Sequence, residues 1–223
     1  MKVLITAGPT YERIDPVRFI GNYSSGKMGI KLTEECLRRG IDVELVLGPV
    51  DITPLVPEGK NVGSLNITHV ESAQDMYEEC MRLFPSMDGA ILCAAVADFT
   101  PIQKYDCKIK REALREKDEE LVIRLKPTQD IAAQLGKIKT ESQVLAGFAL
   151  ETNNEVGNAQ DKLKRKNFDF IVLNSLNDEG AGFRYDTNKI SIISKDGKKD
   201  FPLQSKRDCA VNITDSLLTC YTR

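Results

Sequence analysis

The stretch Leu92-Cys93-Ala94-Ala95-Val96-Ala97-Asp98-Phe99, running on to Lys108-Ile109-Lys110-Arg111, decides how this chain reads. Residues 89–97 are small and apolar, and the run stops at one carboxylate. It is too short for a membrane span and too uniformly apolar for an exposed strand. Residues 90–97 are therefore expected to form a parallel strand covered on both faces, ending at Asp98. Ligands of open α/β sheets sit outside the carboxyl ends of strands, which puts Asp98 in a site. Residues 99–111 are polar and carry Pro101. Excursions of that length are functional or disordered, and this one is long enough to fold over the site.

Outward from this strand, strand-like and helix-like segments alternate. Strands are expected at residues 3–7, 43–47, 66–70, 144–150 and 169–173. Helices are expected from Ser24 or Ser25 as N-cap to a basic end at Arg38-Arg39-Gly40, from Ser72 or Asp75 to Phe84, and over residues 130–139, 155–166 and 206–221. Residues 121–125 are strand-like and are expected to pair with the Lys108 region as a projecting antiparallel arm. Asp196-Gly197 marks a hairpin between residues 189–194 and 199–203. The order predicts one domain over residues 1–223, a doubly wound, mainly parallel α/β sheet.

Bulk properties narrow the function. With 223 residues, 41% hydrophobic and 29% charged, the chain has the composition of a soluble globule, and its net charge of −2 gives no reason to expect nucleic acid or an acidic membrane. No apolar run approaches the ~20 residues of a spanning helix, and Met1-Lys2 leads straight into a strand with no signal peptide. The six cysteines form no CxxC pair, which fits reduced thiols in the cytoplasm. Cys93 and Cys107 flank the central stretch, but a thiol nucleophile needs a base. The one histidine, His69, lies far from both in sequence and is expected to be structural. That excludes a histidine-rich metal site, and a Ser/His/Asp triad would have to use His69.

A dinucleotide-binding domain would place a glycine turn directly before a helix and an acid at the end of the second strand. Here residues 10–23 intervene, and Leu47-Gly48-Pro49 has no acid until Asp51. A nicotinamide or flavin oxidoreductase is disfavoured. Ser24-Ser25-Gly26-Lys27-Met28-Gly29 reads either as an anion nest at a helix N-terminus or as an ordinary capped helix. Asn22 before it is a neutral amide that can donate to a carboxylate or an oxyanion. Lys108 and Lys110 share a face at strand spacing, and Lys162 and Lys166 share one at helical spacing. Each group suits a polyphosphate or a solvated basic face. Asp98 and Asp130 are candidate ribose or Mg²⁺ ligands. Phe148 suits a stacked base or core packing.

A longer likeness joins these pieces. Ile5-Thr6-Ala7-Gly8-Pro9-Thr10, Ile14-Asp15-Pro16-Val17-Arg18-Phe19-Ile20 and Asn22-Tyr23-Ser24-Ser25-Gly26-Lys27-Met28-Gly29 resemble the signature of the phosphopantothenoylcysteine synthetase family. The likeness continues in order through Ala94-Ala95-Val96-Ala97-Asp98, Lys108-Ile109-Lys110-Arg111, Gly147-Phe148-Ala149 with Glu151-Thr152, and Arg165-Lys166-Asn167. The resemblance implies a Rossmann-like homodimer that uses CTP and Mg²⁺ to activate the carboxylate of 4′-phosphopantothenate as an acyl-cytidylate, which L-cysteine then attacks. It implies that Asn22 handles the carboxylate and the intermediate, with Ala95 beside the substrate, and that Lys108 sits on a mobile flap meeting the triphosphate. Ser24, Leu92, Cys93, Ala94, Asp98, Gln129, Asp130, Ile131, Ala132, Phe148, Lys162 and Lys166 are implied nucleotide contacts, Asp98 also the metal ligand. The chain departs from the family pattern at Arg111, where many bacterial members have lysine, and at Asn174-Ser175-Leu176, where Asn-Asp-Val is common. The resemblance leaves two forms open, a stand-alone synthetase or a fragment of a longer protein fused to or associated with a flavin-dependent phosphopantothenoylcysteine decarboxylase, and the motifs look more like the fused type. Two other classes compete with it: the disfavoured dinucleotide oxidoreductase, and a non-catalytic partner module of a decarboxylase.

Overall fold

The computed structural model describes residues 1–110, 120–151, 154–175 and 185–222. In chain order it forms β1 (Lys2–Ala7), β2 (Tyr11–Asp15), β3 (Arg18–Gly21), α1 (Lys27–Arg38), β4 (Asp42–Leu47), β5 (Leu65–His69), α2 (Ala73–Leu83), β6 (Gly89–Leu92), β7 (Phe99–Pro101) and β8 (Leu125–Pro127). Then follow α3 (Ile131–Ile138), β9 (Val144–Glu151), α4 (Glu155–Arg165), β10 (Phe170–Ser175), β11 (Thr187–Asn188), β12 (Ile190–Ser194), β13 (Gly197–Asp200), β14 (Gln204–Ser205) and α5 (Lys206–Tyr221).

Eight strands make one sheet in the order β13-β12-β10-β9-β6-β1-β4-β5. The six from β10 to β5 are parallel, and β12 and β13 continue the sheet antiparallel. Numbered among themselves, the parallel strands run 6-5-4-1-2-3, so the order reverses between β1 and β6. Ligands of such sheets bind at that reversal, beyond the carboxyl ends.

Apolar residues of β1 alternate between two layers. Val3, Ile5 and Ala7 pack with α1 and α5 on one face, and Leu4 packs with α2, α3 and α4 on the other. Each fully buried Leu, Ile or Val contributes about 1.5–3 kcal/mol relative to exposure. The sheet is therefore doubly wound, as its uniformly apolar strands predict. Ser72 and Asp75 form a reciprocal capping box at α2. No helix among the described residues is long and apolar enough to cross a membrane.

Three expectations are corrected. The central strand is short: β6 ends at Leu92, not at residue 97. Gly8 takes a positive φ of 81° and Pro9 has no N–H, so the partner strand stops being a ladder. Residues beyond Leu92 bond instead to what remains: Ala94 N–H donates to Thr6 Oγ1 at 3.2 Å, Ala95 N–H to the Gly8 carbonyl at 2.9 Å and Ala97 N–H to Thr10 Oγ1 at 2.9 Å. Second, neither Ser24 nor Ser25 caps α1. The cap is Gly26 at φ 71°, a left-handed conformation that favours glycine, and Ser24 Oγ accepts from the Gly26 N–H at 3.3 Å.

Third, residues 121–125 do not pair with the Lys108 region. Phe99–Pro101 pairs antiparallel with Leu125–Pro127. The Lys108 region runs beside the hairpin that occupies residues 11–21: Tyr105 N–H donates to the Ile14 carbonyl at 2.9 Å and Ile109 N–H to Asp15 Oδ2 at 3.1 Å. That hairpin, β2–β3, was not anticipated. Its faces are held by Tyr11 stacked on Phe19 with centroids 3.7 Å apart.

Candidate functional site

Two cavities open at the carboxyl edge of the sheet, at and beside the reversal between β1 and β6. The first, about 770 Å³, lies between the ends of β6 and β9 and the N-terminus of α3. The second, about 680 Å³, lies between residues 93–96, the N-terminus of α1, Asn174 and Asn188. They share a wall of Ala94, Val96, Asp98, Phe148 and Lys162. Both volumes suit a small-molecule ligand.

In the first cavity stand Leu92, Gln129, Asp130, Ile131, Ala132 and Lys166, with the shared residues. Asp130 caps α3 by accepting from Ala133 N–H at 3.0 Å and is ion-paired with Lys166. Lys166 is 7% exposed; burial lowers the affinity of its amine for a proton, and Asp98 opposes that effect. Lys162 donates to the Phe148 carbonyl at 2.8 Å. Its helix, α4, ends in Lys162, Lys164 and Arg165, so the cations gather where the helix dipole is negative. Phe168 forms another side of the cavity. A Cβ on Gly147 would lie 2.3 Å from the Phe168 ring, so glycine is what lets that ring close the cavity.

In the second cavity stand Asn22, Ser24, Cys93 and Ala95. Asn22 is exposed at the exit of β3, and its Nδ2 donates to the Val96 carbonyl at 3.0 Å. An amide nitrogen has a second hydrogen to give. The first intrahelical bond of α1 runs from Ile30 N–H to the Gly26 carbonyl at 3.1 Å. The N–H groups of Lys27, Met28 and Gly29 precede it, and all three residues line the cavity. Lys27 pairs with Asp186 at 2.6 Å. Burial pushes the Cys93 thiol up to about 12, which keeps it protonated at neutral pH and unsuited to nucleophilic work.

Sequence reasoning missed Lys206. It opens α5 and looks like an ordinary exposed lysine, yet it is 6% exposed, lines the second cavity and donates to the Tyr185 carbonyl. Burial and the neighbouring Lys27 lower its pKa. No local pattern marks it, because the topology alone turns the start of α5 toward α1. Asn174 also lines this cavity, and its buried Oδ1 has no partner among the described residues.

One expected residue stands apart. Lys108 is exposed and lines neither cavity, because its segment is tied to the β2–β3 hairpin. Arg111, Thr152 and Leu176 lie outside the described residues. His69 is exposed on β5 and lines neither cavity. Among the described residues, no group of three or more His, Cys, Asp or Glu could hold a metal ion. Asp98 is exposed on the wall common to both cavities. One carboxylate fits a Mg²⁺ that arrives with phosphates and keeps several waters, not a resident metal cage.

Comparison with known proteins places this geometry. The pattern of the DNA/pantothenate metabolism flavoprotein C-terminal domain matches residues 1–221. The chain is 42% identical over 216 residues to the coenzyme A biosynthesis bifunctional protein CoaBC of Bacillus subtilis, covering 96% of this chain and 50% of that protein. It is 52% identical over 219 residues to a cysteine/cysteine sulfinic acid decarboxylase from an unknown prokaryotic organism, covering 98% and 58%. The chain thus spans about half the length of the curated relatives it matches. The crystal structure of a CoaBC C-terminal domain superposes with a TM-score of 0.78 at 36% identity, covering 97% of this chain and 93% of that one. A DNA/pantothenate metabolism flavoprotein from Streptococcus pneumoniae gives 0.81 at 25% identity, covering 98% and 99%.

Proposed function

The chain belongs to the DNA/pantothenate metabolism flavoprotein C-terminal domain family, and from that premise we propose that it is the ligase unit joining 4′-phosphopantothenate to L-cysteine at the expense of CTP. The observation that carries this reading is the pair of cavities with one common wall. A ligase that activates an acid with a nucleotide must hold two anionic substrates side by side and exclude water from the bond being made. CTP belongs in the cavity of Lys162, Arg165 and Lys166, with Gln129, Asp130, Ile131 and Ala132 at its far side. The acid belongs in the cavity of Asn22 and α1. Its phosphate suits the N–H groups opening α1, with Lys27 and Lys206 nearby. Asn174 Oδ1 is an acceptor for an amide N–H of the pantothenate arm.

The chemistry follows. A carboxylate oxygen bonds to the α-phosphorus of CTP, and pyrophosphate leaves with the electrons of the broken P–O bond. The cysteine amine then bonds to the acyl carbon, CMP leaves with the acyl C–O electrons, and the amine gives up a proton. Asn22, at the lip of the acid cavity, donates to the oxygen on which charge develops. Donors of this kind contribute about 2.7–4 kcal/mol in the transition state. Asp98 would hold Mg²⁺, whose charge offsets that of the phosphates. Lys108 neutralises the phosphates once its segment reaches them.

The exposed Val17, Phe19, Phe99, Ile102, Val122 and Leu125 lie on or beside the two antiparallel pairs. Such a concentration of apolar surface supports a homodimer formed through this arm. The chain matches about half of each curated relative, which supports its belonging to a longer protein; the fusion partner in this reading is a decarboxylase, and the location is the cytoplasm. The test is pyrophosphate release from CTP and Mg²⁺ that requires both 4′-phosphopantothenate and cysteine. No cysteine-dependent turnover with CTP or ATP would sink the ligase. The name of the 52%-identical relative raises a second reading, which nucleotide-independent release of CO₂ from cysteine would support.

A further inference from the structure

The long polar excursion leaves the sheet at Asp98 and returns at Thr128. Its stem is slight. Three residue pairs and a bond from Ile102 N–H to the Arg124 carbonyl join its two sides. All three residues of β8 are exposed, and Pro127 has no N–H to give. A two-stranded ladder of this length does not hold its own shape in water. The root below it is bonded differently. Thr128 N–H donates to the Asp98 carbonyl at 2.9 Å, and Thr128 Oγ1 donates to the Ala97 carbonyl at 2.7 Å. Ala97 N–H in turn donates to Oγ1 of the fully buried Thr10 at 2.9 Å. Ala97 is 3% exposed, and buried backbone groups need partners. The ladder that would supply them has ended at Leu92. Two threonine hydroxyls stand in for it, one just past β1 and one on the returning chain.

These bonds converge on Asp98. The carbonyl before it and its own carbonyl are both held by Thr128. Asp98 stands on the wall common to both cavities, and Thr128 lines the first. We propose that Thr128 is a positioning residue, which fixes Asp98 where it meets the bound nucleotide. This rests on the ligase reading for the role of Asp98.

Thr128→Val keeps the branched shape and the N–H and removes the hydroxyl. Thr128→Ser restores the hydroxyl. In calorimetric titrations of the full chain with CTP in the presence of Mg²⁺, T128V is expected to bind CTP at least fivefold more weakly than the parent, and T128S within twofold of it. In an Asp98→Asn background T128V should change CTP affinity less than twofold, because its effect passes through Asp98. A threonine that merely closed the stem would add its loss in either background. Amide exchange at residue 128 should quicken at least fivefold in T128V, with Leu4 and Ile91 of the sheet unchanged. T128V affinity within twofold of the parent, T128S no better than T128V, losses that multiply in the double variant, or unaltered exchange at residue 128 would each overturn the proposal. A parent chain that binds no CTP defeats the ligase reading instead, and exchange at residue 128 then decides whether the Thr128 hydroxyl holds Asp98.

Discussion

The Lys162 ammonium donates to the Phe148 carbonyl at 2.8 Å, within the wall that the two cavities share. One cation therefore lies at the boundary between the two cavities, one helical turn from Lys166. Replacing it with methionine keeps the stem and removes the charge. Hydrogen bonds to charged groups contribute about 1.5–3 kcal/mol. Lys162→Met should weaken CTP binding at least tenfold in a calorimetric titration. Unaltered affinity would remove Lys162 from the phosphate site.

Gly147 and Phe168 give a steric test. The added Cβ of Gly147→Ala meets the ring at 2.3 Å, well inside contact distance. Overpacking of this kind costs about 1–3 kcal/mol, or roughly 2–4 °C of midpoint per kcal/mol in a chain of this size. Thermal unfolding should register that loss. CTP titration should register a further one, because Phe168 borders the cavity we propose for CTP.

The architecture was legible where patterning is strong. Uniformly apolar strands, Ser72 or Asp75 as the start of a helix, and the Asp196-Gly197 turn all gave the right elements. The end of β6 was not legible, because Cys93–Ala97 stays apolar while the N–H groups of Ala94 and Ala97 turn to the side chains of Thr6 and Thr10. The β2–β3 hairpin escaped notice because Pro16 and two arginines break its strand pattern. The candidate site residues named by motif matching line the two cavities, with the exception of Lys108. Lys206 was missed because burial at a helix start is a tertiary fact. Lys108 was expected over the site, and the bonds of its neighbour Ile109 to Asp15 and Arg18 hold its segment elsewhere.

Glu35 should govern acid stability. It is 4% exposed and binds Arg38 at 2.7 Å and Arg39 at 2.6 Å, and Arg39 reaches Asp215 on α5 at 2.6 Å. Burial pushes this carboxyl upward, but the two guanidiniums outweigh it and hold it below its ordinary value. A depressed folded pKa gives stability that is present above the unfolded value and lost as pH falls through the folded one. Glu35→Gln should cost about 1–3 kcal/mol at pH 7. The gap from the parent should close as the pH is lowered past the folded value, where the parent carboxyl is protonated as well. A gap constant with pH would show that the charge contributes nothing.

The thiols can be ranked by exposure. Cys107 is exposed, while Cys93 is held protonated in the cavity wall. Brief iodoacetamide treatment followed by peptide mapping should label Cys107 well before Cys93. Cys93→Ala should keep turnover within about twofold. Loss of turnover with intact CTP binding would return the thiol to the mechanism.

In the proposed reaction one site activates an acid with a nucleotide and then delivers it to an amine. Its most direct test is pyrophosphate release followed with and without cysteine, in the parent and in Asn22→Asp. The parent should turn over steadily only when CTP, Mg²⁺, 4′-phosphopantothenate and cysteine are all present. Asn22→Asp should still bind CTP but form no 4′-phosphopantothenoyl-cysteine. Normal product formation by Asn22→Asp would remove Asn22 from the chemistry, and a parent that releases no cysteine-dependent pyrophosphate would contradict the ligase itself.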